Sequence, residues 1–340
     1  MGVFAVDDTP AAAETTLDVY EDLMQVSYYA SGSGGIKHLT AEQIAFIDRW
    51  EVENYRRKMA AGNSSADKRS GKIAIVTGGA QGFGAGIAES LHKLNLNVIV
   101  ADINEETGRK FVSELSQSPS SGKIIFKETD VSDPESVKEL VAFTVSEFGG
   151  LDLMISNAGI LKAGGLEEIE AEVFSEMTNV NYNGFFYCAK YASGVMKLQH
   201  SEKPGYLTDI IQINSKSGLR GSNRNFTYAG AKFGGIGLVQ SLALELAPYG
   251  IKVNAICPGN YYEGPLWSDP VNGLFVQYLK TGKVPGAKTI EEVKKHYEDQ
   301  VPLKRGCRPG DLIRALLYIV DQEYETGQAV PVTGGQVMLR

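Results

Sequence analysis

From residue 71 onwards, short apolar runs alternate with segments of helical period, and this alternation constrains the fold most strongly. The apolar runs are KIAIVTGG, NVIVAD, KIIFKETD, LDLMISNAG, TDIIQINS, IKVNAICPG and GQAVPVTGG. Helical patterns such as GAGIAESLHKLN fill the gaps between them. Fully apolar strands that alternate with helices are typical of a parallel sheet covered on both faces. The sequence therefore predicts an α/β domain over residues 71–340, with a doubly wound parallel sheet and its site at the carboxyl ends of the strands.

Residues 1–70 follow a different pattern and predict a helical extension. Two helical stretches, TTLDVYEDLMQVSYYA and TAEQIAFIDRWEVENYRRKMA, flank the loop SGSGGIKH. The second opens with a capping box formed by Thr40 and Gln43 and carries the i,i+4 pair Glu53 and Arg57. The stretch AAGNSSADKRSG then has the composition of a linker. We expect the extension to pack on the main domain or on a neighbouring subunit, the alternative being a flexible tail.

Charge and composition exclude several classes of protein. The formal net charge is −8, so no basic field exists to attract nucleic acid or an anionic membrane. No apolar run approaches the ~20 residues that span a bilayer, and the start lacks the features of a signal peptide. The cysteines Cys188, Cys257 and Cys307 form no Cys-x-x-Cys motif, and the histidines have no zinc-like spacing. We expect a soluble cytoplasmic protein with neither a disulfide scaffold nor a metal site.

The first apolar run ends in TGGAQGFG, which contains Gly78, Gly82 and Gly84. Glycines at such a turn let the backbone approach a diphosphate at the N-terminus of the following helix. The spacing Gly-x-x-x-Gly-x-Gly differs from the Gly-x-Gly-x-x-Gly of larger dinucleotide-binding enzymes, and glycines also form ordinary turns. Because this cluster follows a strand and opens a helix, dinucleotide binding is the favoured interpretation.

The second apolar run ends at Asp102, and this residue predicts the cofactor. A carboxylate there can accept both hydroxyls of an adenosine ribose and repel a 2′-phosphate. The segment GGAQGFG contains no arginine or lysine that could bind such a phosphate. The alternative is an aspartate that caps the helix beginning at Asn104. We expect NAD rather than NADP.

The segment NFTYAGAKFGG places Tyr228 and Lys232 four residues apart, with only alanine and glycine between them. At helical spacing the two side chains lie on one face. A buried ring beneath the stem of a surface lysine would give the same pattern. The other motifs of the chain decide between these interpretations.

Taken in order, these motifs resemble those of the short-chain dehydrogenases/reductases over residues 71–340, a family with a Rossmann-type fold. TGGAQGFG is similar to the family's glycine turn, SNAG to its Asn-Asn-Ala-Gly motif with Ser156 in the first place, and NAICPG to its turn beside the nicotinamide. TDVSD is similar to the segment that holds the adenine. The resemblance implies these cofactor-binding residues: Gly78, Gln81, Gly82, Phe83, Gly84, Asp102, Ile103, Asp130, Val131, Asn157, Ala158, Gly159, Tyr228, Lys232, Pro258 and Gly259.

The resemblance also implies a catalytic set of Asn181, Ser215, Tyr228 and Lys232. Tyr228 would be the general acid/base, Ser215 would bind the reacting oxygen, and Asn181 would hold a water that links Lys232 to solvent. A phenol with a pKa of about 10 is a poor base at neutral pH. We therefore expect Lys232 and the positive nicotinamide ring to lower the pKa of Tyr228, while Lys232 also bonds the nicotinamide ribose.

Within the family, IIQINSKSG, VPLKRGC and VTGGQVM are similar to segments of bacterial sorbitol-6-phosphate 2-dehydrogenases, and Thr333 stands where most relatives have the aspartate of Asp-Gly-Gly. This resemblance implies interconversion of sorbitol 6-phosphate and fructose 6-phosphate with NAD, in a homodimer or homotetramer. A dehydrogenase of another polyol, sugar or sugar phosphate is one alternative, and a cofactor-binding scaffold without turnover is the other. FIDRWEVENYRRK is similar to the tether between the aldolase and dehydrogenase halves of bifunctional bacterial enzymes.

Three lysines follow or adjoin the catalytic segments and predict an anion pocket for the substrate phosphate. For any one of them alone a solvated surface lysine is the favoured interpretation, but their recurrence near the carboxyl ends of strands favours the pocket. Charge-assisted bonds to a phosphate contribute roughly 1.5–3 kcal/mol each. The predicted substrate-binding residues are Lys162, Ser215, Lys216, Tyr228, Asn260 and Lys304.

Overall fold

The computed structural model describes residues 3–7, 10–48, 50, 67–120 and 122–338. Its centre is a parallel sheet of seven strands. The strands are β1 Ile73–Thr77, β2 Asn97–Asp102, β3 Ile124–Glu128, β4 Leu153–Ser156, β5 Thr208–Ile213, β6 Ile251–Pro258 and β7 Ala329–Val332. Each of the predicted apolar runs contains one strand, so the expected doubly wound sheet is confirmed.

Helices cover both faces of the sheet and form the extension that precedes it. In chain order they are α1 Pro10–Ser31, α2 Ala41–Asp48, α3 Gly82–Lys93, α4 Glu105–Leu115, α5 Pro134–Phe148, α6 Ala171–Thr178, α7 Gly184–Glu202, α8 Phe226–Leu246, α9 Pro265–Ser268, α10 Leu274–Lys280, α11 Ile290–Asp299 and α12 Pro309–Asp321. A π-helical turn, Asn179–Asn183, joins α6 to α7. A 3₁₀ turn, Lys216–Gly218, follows β5.

The strands read as continuous apolar runs because both of their faces are buried. One core contains Ile75, Met154 and Phe185, and a second on the opposite face contains Val76, Ile155 and others. Strands β2, β5 and β6 are buried at every residue. A strand with one exposed face would instead alternate between apolar and polar residues.

The strand order is β3-β2-β1-β4-β5-β6-β7, so the chain changes direction across the sheet between β1 and β4. Ligands of open α/β sheets bind at such a switch point, outside the carboxyl ends of the strands. Asn157 ties the two loops together there, since its Nδ2 donates to the carbonyl oxygens of Thr77 at 2.9 Å and Gly78 at 3.0 Å. The fold thereby fixes the glycine turn beside the loop that follows β4.

Residues 260–300 form a cap segment with an aromatic core of its own. The ring centroid of Trp267 lies 5.1 Å from that of Tyr262, 5.0 Å from that of Phe275 and 5.7 Å from that of Tyr278. Edge-on and tilted contacts of this kind add to the stabilisation from burial alone. The cap segment is therefore a packed element rather than a loose loop.

The extension agrees only in part with its prediction. The capping box forms as expected, with Thr40 N donating to Gln43 Oε1 at 2.9 Å and Gln43 N to Thr40 Oγ1 at 3.3 Å. Helix α2 ends at Asp48 and Trp50 is not helical, whereas the pattern predicted a helix to residue 60. The predicted pair Glu53 and Arg57 lies outside the described residues. Helices of the described chain are too short or too polar to cross a membrane.

Candidate active site

The glycine turn after β1 brings backbone atoms unusually close together. Gly78 and Gly82 both have φ near +60°, a conformation that side chains other than glycine rarely adopt. A Cβ added to Gly84 would lie 2.0 Å from the carbonyl oxygen of Gly78. The side chain of Gln81, the residue before α3, accepts no hydrogen bond from the first backbone amides of that helix. This cradle fits a diphosphate, as the sequence predicts.

Asp102 occupies the end of β2 and joins it to the glycine turn. Its Oδ2 accepts a hydrogen bond from Ala80 N at 3.1 Å, and its Oδ1 accepts one from Asn104 N at 3.1 Å. The side chain that caps α4 is that of Asn104, which accepts from Thr107 N at 2.9 Å. Each carboxylate oxygen of Asp102 retains a second lone pair for a ribose hydroxyl. The neighbouring Ile103 is 65% exposed, so its side chain is accessible at the edge of the site.

The remaining predicted cofactor residues lie on loops at the same edge of the sheet. Asp130 Oδ1 accepts from the amide of Ser132 at 2.8 Å and from its hydroxyl at 2.7 Å, which fixes the loop after β3. Ala158 N donates to Thr77 Oγ1 at 3.1 Å. Gly259 N donates to Val332 O at 2.9 Å, which holds the turn after β6 against β7. Val131 is buried in the core, Phe83 stacks on Tyr261 of the cap segment at 5.0 Å, and Pro258 ends β6.

Tyr228 and Lys232 lie on the same face of α8, as their spacing predicts. The Lys232 ammonium is 5.5 Å from the centroid of the Tyr228 ring. Its Nζ donates to Ile213 O, the last residue of β5, at 3.0 Å, and the side chain is buried. The lysine thus reaches from the helix to the sheet and runs alongside the phenol. It is not a surface lysine over a buried ring.

Burial shifts the pKa values of this pair in opposite directions. It raises the pKa of Tyr228 to about 12, and a hydrogen bond with Ser215 opposes the rise. It lowers the pKa of Lys232 to about 8, with the nearby Cys257 acting in the opposite direction. The expectation of a lowered pKa for Tyr228 is therefore wrong for the protein alone. The same apolar surroundings disfavour both phenolate and ammonium, and the lysine charge does not outweigh them.

Ser215 follows β5 in an extended conformation and is held by its neighbours. Its N donates to Asn214 Oδ1 at 2.8 Å, and its Oγ accepts from Ser217 N at 3.1 Å. Asn214 in turn donates from Nδ2 to Lys232 O at 2.9 Å. The loop that carries Ser215 is therefore hydrogen-bonded to the helix that carries Tyr228 and Lys232.

Asn181 lies in the π-helical turn and directs its amide into the protein. Its Nδ2 donates to Ile160 O at 2.8 Å and to Met177 O at 2.9 Å. Its Oδ1 is buried and accepts no hydrogen bond from any described residue. A Cβ added to Gly159 would lie 2.7 Å from this oxygen and 3.8 Å from Lys232 Nζ. These three groups therefore converge, and single π-helical turns are frequent at functional sites.

The predicted substrate-binding residues occupy different environments. Lys216 is partly buried, and its pKa is lowered by burial and then by Arg220. Lys162 is exposed. Lys304 Nζ donates to the carbonyl oxygen of Asp299 at 2.7 Å and lies 3.7 Å from its carboxylate. That ammonium is therefore already bonded within the protein.

Asn260 anchors the cap segment, because its carbonyl accepts from Cys307 N at 2.8 Å. Its side-chain Nδ2 also donates to the hydroxyl of Tyr262 at 3.3 Å. The residue thus joins the turn after β6 to the aromatic core.

Two residues of the site escaped the sequence analysis. Thr77 accepts hydrogen bonds at Oγ1 from both Asn157 N and Ala158 N, and thereby sets the distance between two cofactor loops. Lys283 is partly buried in the cap segment, and burial, followed by the charges of Arg224 and Lys216, lowers its pKa to about 8. Neither lies in a recognised motif. Only the folded arrangement gives them a role.

A protein-family model described as short chain dehydrogenase matches residues 72–266 of the chain. The chain belongs to the short-chain dehydrogenase family. The sorbitol-6-phosphate 2-dehydrogenase of Escherichia coli K12 is 37% identical over 270 residues, which cover 78% of this chain and 99% of that protein. A 3-oxoacyl-[acyl-carrier-protein] reductase of Buchnera aphidicola is 30% identical over 273 residues, which cover 80% of this chain and 99% of that protein.

Among solved structures, a sorbitol-6-phosphate 2-dehydrogenase from Erwinia amylovora matches with a TM-score of 0.71 and 38% identity. The match covers 78% of this chain and 100% of that one. This short-chain dehydrogenase is therefore an oxidoreductase of a family that acts on CH–OH groups with a nicotinamide cofactor. About a fifth of its length has no counterpart in these relatives.

Proposed function

We propose that this short-chain dehydrogenase interconverts sorbitol 6-phosphate and fructose 6-phosphate with NAD. The observation that carries the proposal is the arrangement of Tyr228, Lys232 and Ser215 at the carboxyl edge of the sheet, beside the glycine turn. It is supported by two relatives named for this activity, at 37% and 38% identity over nearly their whole length. We propose a cytoplasmic homo-oligomer whose catalytic domain spans residues 71–340, preceded by an extension at 1–70.

The choice of NAD rests on Asp102. Its carboxylate lies at the end of β2 and is bonded to the glycine turn through Ala80 N. Such a carboxylate accepts ribose hydroxyls and repels a 2′-phosphate. The turn GGAQGFG supplies no cation to offset that repulsion. NADP would therefore bind less tightly than NAD.

Oxidation of the alcohol removes a hydride from carbon and a proton from oxygen. Bound NAD would supply the hydride acceptor. The protein handles the proton: Tyr228, as the phenolate, would take it from the substrate hydroxyl and become the phenol, while the Ser215 hydroxyl would hold the substrate oxygen. Because burial outweighs the hydrogen bond with Ser215 and raises the pKa of Tyr228 to about 12, the protein without cofactor favours the neutral phenol, which donates a proton in the reduction direction.

The proton leaves Tyr228 towards Lys232 and Asn181. Burial lowers the pKa of Lys232 to about 8, so near neutral pH part of it is the neutral amine that can accept this proton, and the ammonium so formed can release it. The buried Oδ1 of Asn181 has a free acceptor position close to Lys232 Nζ, where it suits a bridging water. Asn181 would thus connect the lysine to solvent.

For the substrate we retain Ser215, Tyr228, Lys216, Lys162 and Asn260 as proposed contacts. Lys304 suits this role less, because its ammonium is bonded to Asp299. Lys162, Ser215, Lys216 and Asn260 follow β4, β5 and β6, whose carboxyl ends share one edge of the sheet, and Tyr228 lies on α8.

A panel of phosphorylated and free polyols tests this function, with NAD and NADP each as the oxidant. We expect fastest NADH formation with sorbitol 6-phosphate, fructose 6-phosphate as the product, and weak activity with NADP. A higher kcat/KM with another polyol phosphate would identify that compound as the substrate and leave the proposed reaction type unchanged. Binding of NAD without turnover of any polyol would favour a cofactor-binding scaffold instead.

A further inference from the structure

Cations from the loop after β5 and from the cap segment interact electrostatically, since the charges of Arg224 and Lys216 both act on Lys283. Lys216 directly follows Ser215, and Arg220 and Arg224 lie between it and α8. Lys283 approaches from the cap segment, 67 residues further along the chain than Lys216. We call Lys216, Arg224 and Lys283 the basic cluster. It adjoins Ser215 on one side and the start of α8, which carries Tyr228, on the other.

Lys283 is held in place by the aromatic core of the cap segment. Its ammonium lies 4.0 Å from the centroid of the Tyr278 ring, a distance at which a cation is attracted to the ring face. Its amide donates to Tyr278 O at 3.0 Å, and the next residue, Val284, is buried. Both the backbone and the side chain of Lys283 are therefore fixed before any ligand binds, which reduces the entropy lost on binding.

Arg224 is held in an unfavourable backbone conformation. Its φ is +57°, in the left-handed region that residues other than glycine rarely occupy. Its carbonyl accepts from Gly164 N at 3.1 Å, and its Nη2 lies 2.5 Å from both carboxylate oxygens of Glu168. Strain of this kind persists where surrounding contacts enforce it, and it is concentrated at functional sites.

The cluster has more positive charge than its surroundings neutralise. Within the described residues, Glu168 pairs with Arg224, but neither Lys216 nor Lys283 forms an ion pair with a carboxylate. Burial and like charges lower the pKa of Lys283 to about 8 and also lower that of Lys216. Partly buried ammonium groups that repel each other cost stability in the free protein. A bound anion would remove that cost.

We propose that the basic cluster is the subsite for a dianionic phosphate group of the substrate, with Lys216 and Lys283 as its direct ligands and Arg224 beside them. This inference rests on the proposed function and specifies its substrate contacts. It adds Lys283 and Arg224 and replaces Lys304, whose ammonium is occupied by Asp299. The phosphate would be bound by the loop after the catalytic serine and by the cap segment together.

The test compares Lys283→Met and Lys283→Arg with Lys280→Met, an exposed lysine at the end of α10 that serves as the matched control. kcat/KM is measured for sorbitol 6-phosphate and for sorbitol. We expect Lys283→Met to reduce the preference for the phosphorylated substrate by about ten- to a hundred-fold, the loss of one charge-assisted bond. The loss should appear as a higher KM for sorbitol 6-phosphate, while kcat/KM for sorbitol stays unchanged. Lys283→Arg should retain most of the preference.

A second measurement does not depend on turnover. Titration of the NAD-saturated protein with inorganic phosphate is followed by calorimetry, and we expect Lys283→Met and Lys216→Met each to weaken binding by at least about tenfold. Unchanged phosphate binding and unchanged substrate preference in Lys283→Met would overturn the subsite, while the proposed function would stand. Loss of phosphate binding in that variant, in a protein that does not oxidise sorbitol 6-phosphate, would overturn the function and support the subsite.

Discussion

Among single residues, Tyr228 and Lys232 show how a buried site prepares for proton transfer. Burial raises the pKa of the phenol to about 12 and lowers that of the ammonium to about 8, so it drives apart two pKa values that are ordinarily close and favours the neutral form of each group. Ser215 favours the phenolate through its hydrogen bond. The positive charge of an oxidised nicotinamide ring would act in the same direction.

Replacing Tyr228 by phenylalanine tests this assignment. The ring and its packing remain, but the group that exchanges the proton is lost, so kcat should fall by ~10²-fold or more. NAD affinity should remain close to that of the unmodified protein, as measured by fluorescence titration. Tyr324→Phe, a change at a fully exposed tyrosine, should leave kcat unchanged. Near-normal turnover in Tyr228→Phe would show that Tyr228 is not a catalytic residue.

The pH dependence of substrate preference tests the charge of Lys283. Its pKa in the free protein is about 8, and the groups that face it are Lys216, Arg224 and Tyr278. Below that pH Lys283 is charged, and as pH rises through 8 the charge is lost. The ratio of kcat/KM for sorbitol 6-phosphate to that for sorbitol should therefore fall above pH 8, towards the ratio of Lys283→Met.

Both substrates share Tyr228 and Lys232, so the titration of these two groups cancels in that ratio. The phosphate is already largely dianionic above its second pKa of about 6. A ratio that stays constant from pH 7 to pH 9 in the unmodified protein would contradict a titrating lysine at the subsite.

On the scale of elements, the glycine turn and α3 show where backbone geometry dictates the residue. Gly84 lies so close to Gly78 O that any side chain would push the turn apart. Helix α8 contains a contrasting position, since a Cβ at the exposed Gly237 would meet no atom within 4 Å. The turn therefore requires a glycine at residue 84, whereas no neighbouring atom requires one at residue 237.

We predict that Gly84→Ala lowers NAD affinity by at least about tenfold and also lowers Tm, because the turn must distort to admit the methyl group. Gly237→Ala should leave NAD affinity unchanged and stabilise the protein by up to about 1 kcal/mol, through the higher helix propensity of alanine. Calorimetry and cofactor titration measure both effects. Normal NAD binding by Gly84→Ala would show that the cofactor does not depend on this turn.

The elements that the sequence predicts well are those whose signal is local. The seven strands follow from apolar runs, and Tyr228 and Lys232 meet because four residues make about one helical turn. The charges of Arg224 and Lys216 act on Lys283 although these residues are far apart in the sequence, and no local pattern encodes that proximity. The pKa of Tyr228 was predicted in the wrong direction for a related reason. Spacing reveals the charged neighbour but not the depth of burial that opposes it.

On the scale of the whole molecule, ion pairs join the extension before residue 71 to the sheet domain in the described chain. Glu14 of α1 pairs with Lys123, both more than 40% exposed, and Arg69 pairs with Asp321 of α12. Apolar side chains of α1 such as Val19, Leu23 and Val26 remain more than half exposed. The family model begins at residue 72, and the relatives are covered almost completely without the remaining fifth of this chain.

A chain that begins at residue 67 should therefore fold and retain its activity. An exposed ion pair contributes about 0–1 kcal/mol, so Tm should change little when it is lost. We expect kcat/KM to be about the same as for the full chain, and analytical ultracentrifugation would show whether the oligomeric state changes. Loss of activity with an intact fold would mean that the extension contributes to the site, directly or through a neighbouring subunit.

The central claim is that this short-chain dehydrogenase oxidises a phosphorylated polyol, and one ratio tests it most directly. It is the kcat/KM for sorbitol 6-phosphate divided by that for sorbitol, measured with NAD near neutral pH by the appearance of NADH. Two charge-assisted contacts to the phosphate, each worth roughly 1.5–3 kcal/mol, predict a ratio of at least ~10². Equal values for the two substrates would contradict the account and leave a dehydrogenase that does not recognise the phosphate.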